Sequence, residues 1–482
     1  MAVIVLTSSC THASHLTATT AAKGSGVVTV AFYDRHGDLL TPSQARSVMT
    51  NGSAGWTNDA LVDPASLQDL VEQPLHESGG SLVFDLPSKP AALALNWPTT
   101  RGYSLVIVDD GGGGFVTPGT VNFTYQAAVD ATRRLDAMVA ARPTYVASAA
   151  FSSADARAVL LIQRAAAATD EAQRGALGQR ALDAVNEAND LLLSEFGPAD
   201  AHTRLGTSAP WFGTTLDTTA QHAARLSVAR ATTSPFGWVR IVFDRGRPPS
   251  DYTSTVAAAK ARGLKILGEP VDSYYAKHYT RSQYLRQVKS LVRAFPQIDA
   301  WEVGNEVNGS WLGPGIGRKV ADAAAWVQAH SSATVVLTLY WQIGTDAAAS
   351  STFNWARAHL PASTRRNLDV ILLSTYVEDA PLGMAFDQVM RTLHAEFPDQ
   401  KLGIGEMDYW LPDTSRAWWA FDRRDPTGAG RHAVASQYYA ASLGYPFSIG
   451  GVFWWYFAEE APSDPQLRAT IHGVIREVLR GR

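Results

Sequence analysis

Trp301-Glu302-Val303-Gly304-Asn305-Glu306, running on into Val307-Asn308-Gly309, is a short apolar stretch that ends on a carboxylate, with a glycine-containing turn behind it. Such a stretch reads as a buried strand that delivers Glu306 at its C-terminal end. Leu402-Gly403-Ile404-Gly405-Glu406 is built the same way and is followed by Met407-Asp408-Tyr409-Trp410. In a parallel α/β barrel the C-terminal strand ends are where functional groups collect. The fold therefore turns on whether these two stretches belong to one series of alternating strands and helices.

They do. From about His202 onward, buried strands and amphipathic helices alternate, the pattern of parallel βα units. The strands are expected at Gly206 to Thr215, Gly237 to Asp244, Leu264 to Pro270, Ala300 to Glu306, Thr334 to Trp341, Val370 to Tyr376, Leu402 to Glu406 and Gly450 to Phe457. Helical stretches such as Asp251 to Arg262, Arg281 to Phe295, Arg318 to His330, Gly383 to Phe397, His432 to Leu443 and Gln466 to Arg480 lie between and after them. Eight units over residues 202–482 fit one (β/α)8 barrel, whose usual length is about 250 residues. The alternative, an open doubly wound sheet, has no place for an eighth closing strand. Glu306 then ends strand four and Glu406 ends strand seven.

The chain before the barrel is of other kinds. Residues 23–124 hold short apolar runs broken by Gly, Pro, Asn and Asp, among them Val27 to Tyr33, Ser81 to Asp85, Ala92 to Trp97 and Tyr103 to Val108. Strands at this spacing predict a β-sandwich-like accessory domain. Residues 125–201 are rich in Ala, Leu and charged residues, with apolar positions recurring every three and four. Helices are expected over Ala127 to Ala141, Ser153 to Ala168 and Glu171 to Glu195, the last stopping before Gly197-Pro198 and all forming a helical collar. Within residues 1–22, Ala2-Val3-Ile4-Val5-Leu6 leads through Thr7-Ser8-Ser9 to Cys10, which resembles the end of a bacterial lipoprotein signal. That resemblance implies an exported chain, secreted or held at the cell surface or in the periplasm, with membrane anchoring through a lipidated Cys10. The plainer alternative is an inert thiol in a frayed segment.

A net charge of −4 with 18% charged residues gives no basic stripe for a phosphate backbone, so no nucleic-acid partner is expected. The single cysteine rules out an internal disulfide framework and a thiolate metal cluster. His76-Glu77 lacks the second histidine of a zinc helix, and no Gly-Lys-Ser/Thr follows Gly111 to Gly114. Neither a metal nor an organic cofactor is expected.

With the asparagine and glutamate of strand four, the glutamate of strand seven and Phe453-Trp454-Trp455 on strand eight, residues 203–482 resemble the clan A glycoside hydrolases. These are (β/α)8 enzymes with an acid/base Glu, preceded by Asn, on strand four and a nucleophilic Glu on strand seven. The resemblance implies a carbohydrate substrate, Glu306 as acid/base and Glu406 as nucleophile in a retaining double displacement. It further implies Asn305 as donor to the sugar 2-hydroxyl, Tyr376 and Arg240 as supports of Glu406, and Trp454 or Trp455 as an aromatic floor. Twelve of the 14 tryptophans lie at or beyond Trp211, and Trp341 and Trp410, like Trp418 and Trp419, sit at strand ends or in loops. That bias favours a sugar-stacking cleft, though Trp also packs barrels against helices.

Several residues keep structural readings. Glu302 shares the inward parity of Glu306 one layer deeper and is expected in an interior ion pair, for which Arg240 is a candidate partner. Glu269 and Asp272 after strand three cap the loop or bind hydroxyls, and Glu459 and Glu460 are expected in solvent. Some families of the clan carry His two residues before the strand-six Tyr, where this chain has Ser374. The expected activity is hydrolysis of β-glycosidic bonds in an oligo- or polysaccharide. The alternatives are a barrel that binds carbohydrate without turnover and a transglycosylase with the same site.

Overall fold

The computed structural model describes residues 23–50, 59–344, 347–377, 379–409 and 429–481. Cys10 and the segment around it, Trp410, Trp418 and Trp419 lie outside the described residues.

Eight parallel strands close into a barrel: Trp211–Leu216, Gly237–Val242, Lys265–Glu269, Ala300–Gly304, Thr334–Tyr340, Val370–Tyr376, Lys401–Asp408 and Gly450–Trp454, the last pairing back onto the first. The expected (β/α)8 architecture is thus present. The first strand begins at Trp211, five residues later than its apolar pattern alone predicts. The lower interior is filled by Trp238, Leu267, Ala300, Val336, Val370, Leu372, Ile449 and Phe453, with Trp211 stacked on Trp238 at 3.8 Å. Gly213 makes room for this layer, because a Cβ there would lie 2.4 Å from the Phe453 ring.

Alternation along the strands does not by itself aim the two glutamates. In strand four Glu302 pairs with Val336, but Gly304 already pairs with Leu337, so one residue is bulged out of register. In strand seven Ile404 pairs with Leu373 and Glu406 with Ser374, so Gly405 is bulged. Bulges of this kind re-aim side chains beside active sites. A Cβ on Gly304 would meet Val307 and Val320, on the helix side of the wall, whereas one on Gly405 would meet the inward Leu372 and Thr338. The simple parity that links Glu302 to Glu306 therefore fails. Glu306 is brought inward by the bulge and by its own left-handed backbone, at φ 49°, a strained conformation for a residue with a Cβ.

Two four-stranded sheets precede the barrel. One runs in the order His76–Ser78, Ser81–Pro87, Lys23–Ala31, Gly119–Asn122, and the other Asp69–Glu72, Asp59–Val62, Ala92–Thr99, Gly102–Val108. Every residue of Ala92–Thr99 and Gly102–Val108 is buried, which explains why these strands read as continuous apolar runs rather than alternating ones. Phe32, Trp97 and Phe123 form a ring cluster between the first sheet, the second sheet and the helices, with centroids 4.8–5.3 Å apart.

The connecting helices are Phe123–Ala140, Ala149–Ala167 and Glu171–Thr203. The third does not stop before Gly197-Pro198. It continues for 33 residues with Pro198 inside, although an internal proline costs a helix about 3 kcal/mol. Tertiary contact overrides the stop signal. A Cβ at residue 197 would lie 2.0 Å from the carbonyl oxygen of Ala440, so Gly197 admits the barrel helix Ala429–Ala441 into backbone contact. Gln437 of that helix donates to Asp190 at 2.5 Å.

The sandwich also borders the barrel mouth. Asn96 donates to the carbonyl of Asp379 at 3.1 Å, the Ser104 hydroxyl accepts from the Met384 amide at 2.7 Å, and Asn354 donates to the Asp69 carbonyl at 2.8 Å. These barrel residues follow strands five and six on the C-terminal side. No helix among the described residues is long and apolar enough to cross a membrane.

Candidate active site

Arg240, on strand two, is fully buried at the centre of the barrel. Its guanidinium donates to both oxygens of Glu302, at 2.8 and 2.7 Å, and to Oε2 of Glu406 at 2.5 Å, and it pairs with Glu269 at 3.1 Å. Both readings of Arg240 therefore hold together: it is the interior partner of Glu302 and it also touches Glu406. Thr338 adds a hydrogen bond to Glu302 at 2.5 Å. Tyr376, closing strand six, donates its hydroxyl to the other oxygen of Glu406.

Three carboxyl groups thus converge on one cation in a site closed to water. Burial works against the charge of Arg240, but Glu269, Glu302 and Glu406 outweigh it and hold the guanidinium well above its usual range. One cation does not neutralise three anions. Burial, reinforced by the neighbouring carboxylates and opposed by Arg240, pushes Glu269 well above the carboxylate range and raises Glu302 as well. Of the two, Glu269 is pushed up further. It also takes a hydrogen bond from the Asn305 amide at 3.0 Å.

Glu306 faces this cluster in a different environment. It is 7% exposed and, among the described residues, has no cation in its hydrogen bonds. Ser273 donates to its Oε2 at 2.9 Å, and Ser374 lies 2.6 Å from its Oε1. Burial, then the charge of Glu406, raises its pKa to about 8. Ser374 is also the register partner of Glu406 on the neighbouring strand, so the Glu306 side chain crosses strand five to lie beside the second glutamate. The hydroxyl of Tyr376 feels both: burial, then Glu406 and then Glu306, drive its pKa well above the ordinary phenol value.

The tryptophans divide. Trp455 is half-buried, with its ring over the Arg240 guanidinium at 5.5 Å. Trp454 is fully buried in the main core and donates its indole N–H to Glu460 at 2.8 Å. Phe453 and Trp454 alternate across the strand, and Trp455, just past its end, is the one of this pair that meets Arg240. Trp341 is 1% exposed and packs edge-on against Phe353 at 6.1 Å. Both it and Trp454 serve packing rather than the cleft. Trp410 lies outside the described residues. Glu460, expected in solvent, is instead tied to Trp454 and to Arg431 at 2.7 Å, while the exposed Glu459 pairs with Arg225 at 2.7 Å.

The residues that sequence reasoning did not assign are Ser273, Ser374 as a partner of Glu306, Thr338 and Trp311. Ser273 and Trp311 sit in short turns after strands three and four, where no periodicity marks a side chain as inward. Among the described residues no group of three or more His, Cys, Asp or Glu is placed to hold a metal ion.

No family model matches the chain, and no curated protein matches it. Solved structures do. The family 1 β-glucosidase from Thermotoga maritima aligns over 49% of this chain and 76% of its own, at 10% identity and a TM-score of 0.36. A GH5-4 broad-specificity endoglucanase from Clostridium longisporum aligns over 58% and 99%, at 11% identity and a TM-score of 0.35. A mandelate racemase/muconate lactonizing enzyme-like protein from Rubrobacter xylanophilus aligns over 83% and 86%, at 12% identity and a TM-score of 0.32. Likeness this distant spans barrels of different chemistry and carries no argument about activity, which has to come from the site itself.

Proposed function

We propose that the protein is a retaining glycoside hydrolase that cleaves β-glycosidic bonds in an oligo- or polysaccharide, with Glu406 as nucleophile and Glu306 as acid/base. The observation that carries this reading is the opposite treatment of two neighbouring strand-end carboxyls. Glu406 is held by a guanidinium and a phenol, both donors to an anion, whereas Glu306 is buried, meets neutral hydroxyls only among the described residues, and has its pKa raised to about 8. A buried acid thus lies beside a carboxyl gripped by two donors that favour an anion, the arrangement that double displacement requires.

In the first step Glu406 attacks the anomeric carbon while Glu306 transfers its proton to the departing glycosidic oxygen. Ester formation removes the charge on Glu406, which is one of the two causes that keep Glu306 protonated. Glu306 then falls toward its ordinary range and accepts a proton from the water that hydrolyses the ester. Asn305, fixed by Glu269, has a second amide hydrogen for a sugar hydroxyl, and Trp455 supplies an apolar surface beside Arg240.

A screen of aryl β-glycosides with β-glucan, xylan, mannan and galactan tests the reading. Turnover that is lost in Glu406→Ala and restored as an α-glycosyl azide on adding azide supports it, as does a β-glycosyl azide from Glu306→Ala. Binding of a glycan with no turnover of any substrate would replace it with a carbohydrate-binding barrel.

A further inference from the structure

The hydrogen bonds around Glu306 have a direction. Ser273 is 6% exposed, and its hydroxyl has two neighbours: Oε2 of Glu306 at 2.9 Å and the indole nitrogen of Trp311 at 3.2 Å. An indole N–H only donates, so Ser273 accepts from Trp311. A hydroxyl has a single hydrogen to give. Accepting the indole N–H takes up one lone pair of Ser273 and polarises its hydroxyl as a donor, whereas Ser374 receives no such bond among the described residues and keeps its lone pairs for a carboxyl proton. Ser273 therefore donates to Oε2, and Oε2 is an acceptor whatever the protonation state of Glu306.

Ser374 differs. It is fully buried, its hydroxyl lies 2.6 Å from Oε1, and that hydroxyl has no second hydrogen-bond partner among the described residues. Nothing fixes its rotation, and a serine hydroxyl both donates and accepts.

We propose that Trp311 and Ser273 act as a one-way donor to Oε2 of Glu306, so that the transferable proton of this carboxyl resides on Oε1, with Ser374 as the rotor that accepts from Oε1 when it is protonated and donates to it when it is not. The word transferable rests on the reading of Glu306 as acid/base; the placement of the proton does not. Trp311, Ser273 and Ser374 are positioning residues that act through Glu306. In the cleavage step the Oε1–H bond breaks, the proton passes to the glycosidic oxygen, and the electron pair left on Oε1 is met by the Ser374 hydroxyl turning to donate. In the second step water returns a proton to the same oxygen. The half-buried Trp311 ring, edge-on to Tyr340 at 5.2 Å, holds the indole in the orientation this needs.

The experiment is a carboxyl-carbon NMR titration of glutamate-labelled full-length protein, with the Glu306 signal identified by its loss in Glu306→Gln. Ser273→Ala removes a donor that favours the charged form and should raise the Glu306 pKa by about one pH unit. Ser273→Thr, which restores the hydroxyl, should bring it back. Trp311→Phe keeps the ring but frees Ser273 to accept, and should raise the pKa in the wild-type background yet leave it unchanged in the Ser273→Ala background. Ser374→Ala should move it least, because Ser374 serves both protonation states. An unchanged pKa in Trp311→Phe, or a larger rise in Ser374→Ala than in Ser273→Ala, overturns the proposal. Activity is a separate axis: the expected titrations with no glycoside turned over would leave the proton placement standing and remove the hydrolase reading, whereas turnover with the wrong ranking would do the reverse.

Discussion

Two buried charge clusters, one under the sandwich and one in the barrel, are built on opposite rules. Where sandwich meets helices, Asp109 takes Arg133 at 2.6 Å and Arg134 at 2.7 Å, and the neighbouring Asp130 accepts two backbone amides at 2.8 and 2.9 Å. Two acids meet two bases, and Asp130, raised by burial and then by Asp109, rises only to about 6. In the barrel, among the described residues, Glu269, Glu302 and Glu406 share Arg240 alone, and Glu306 lies beside them with no base in its hydrogen bonds. A cluster made only to hold parts together tends to balance. An excess of acid in a dry site forces some carboxyls to keep protons at neutral pH, and a retained proton is one that can be transferred. The contrast sets the balanced cluster apart from the one at the proposed site.

The most severe way to break the contrast is to remove an acid from the unbalanced cluster. Glu406→Ala should abolish turnover, and Glu306→Ala should slow it by about 10²–10⁴-fold, the usual worth of a general acid, with the smaller loss on activated aryl glycosides. Steady-state rates on an aryl glycoside and on an unactivated glycan check both. Equal losses on the two substrates in Glu306→Ala would contradict its role at the leaving group.

Removing the cation comes next. Arg240→Met leaves carboxylates buried without their partner and should cost about 3–5 kcal/mol. Arg133→Ala in the balanced cluster, where the side chain is 43% exposed, should cost less than about 1 kcal/mol. Denaturant unfolding of the two variants compares them directly, and similar losses would erase the distinction.

Smaller again is the docking of the long helix on the barrel. Gly197→Ala forces a methyl against the Ala440 carbonyl and should destabilise by about 1–3 kcal/mol. Because the contact is remote from Glu306, the pH profile of any activity should keep its shape while the melting temperature falls. A displaced pH profile would show that the collar reaches the site.

The last effect depends on pH. The folded pKa of Glu306, about 8, stands above the unfolded carboxyl value of about 4.3. The native state therefore holds a proton that the unfolded chain releases as pH rises between these values. The stability this group contributes is complete below the unfolded value and is lost as pH rises through about 8. Glu306→Gln carries no such loss. Its melting temperature relative to wild type should be unchanged near pH 4 and higher at pH 9, and the basic limb of the wild-type rate should fall through the same value. A constant offset at all pH values would mean that Glu306 does not titrate as described.

Much of the barrel is legible in the sequence. Strand six is observed with the expected bounds, Val370–Tyr376, because a strand buried on both faces is written as an unbroken apolar run. The meeting of Tyr376 and Arg240 with Glu406 was also anticipated, although only through the family resemblance. The helix running through Gly197-Pro198 was not, because a local stop signal says nothing about a neighbouring helix that needs a bare backbone to pack against. Trp454 and Trp341 looked like cleft residues by composition alone, since an apolar ring is equally at home against a sugar or in a core.

The sequence by itself determined which residue types end which strands: the period of the apolar pattern set eight βα units, and two of them finish on glutamate. Only the tertiary structure decided what those glutamates face. Strand parity would have turned Glu406 away from the barrel interior; a one-residue bulge in each of the two strands, with Glu306 in a left-handed conformation, turns both inward. The raised pKa of Glu306 is likewise a property of the assembled site. It depends on how many carboxyls share Arg240 and on how completely water is excluded, and both follow from distances between strands far apart in the chain.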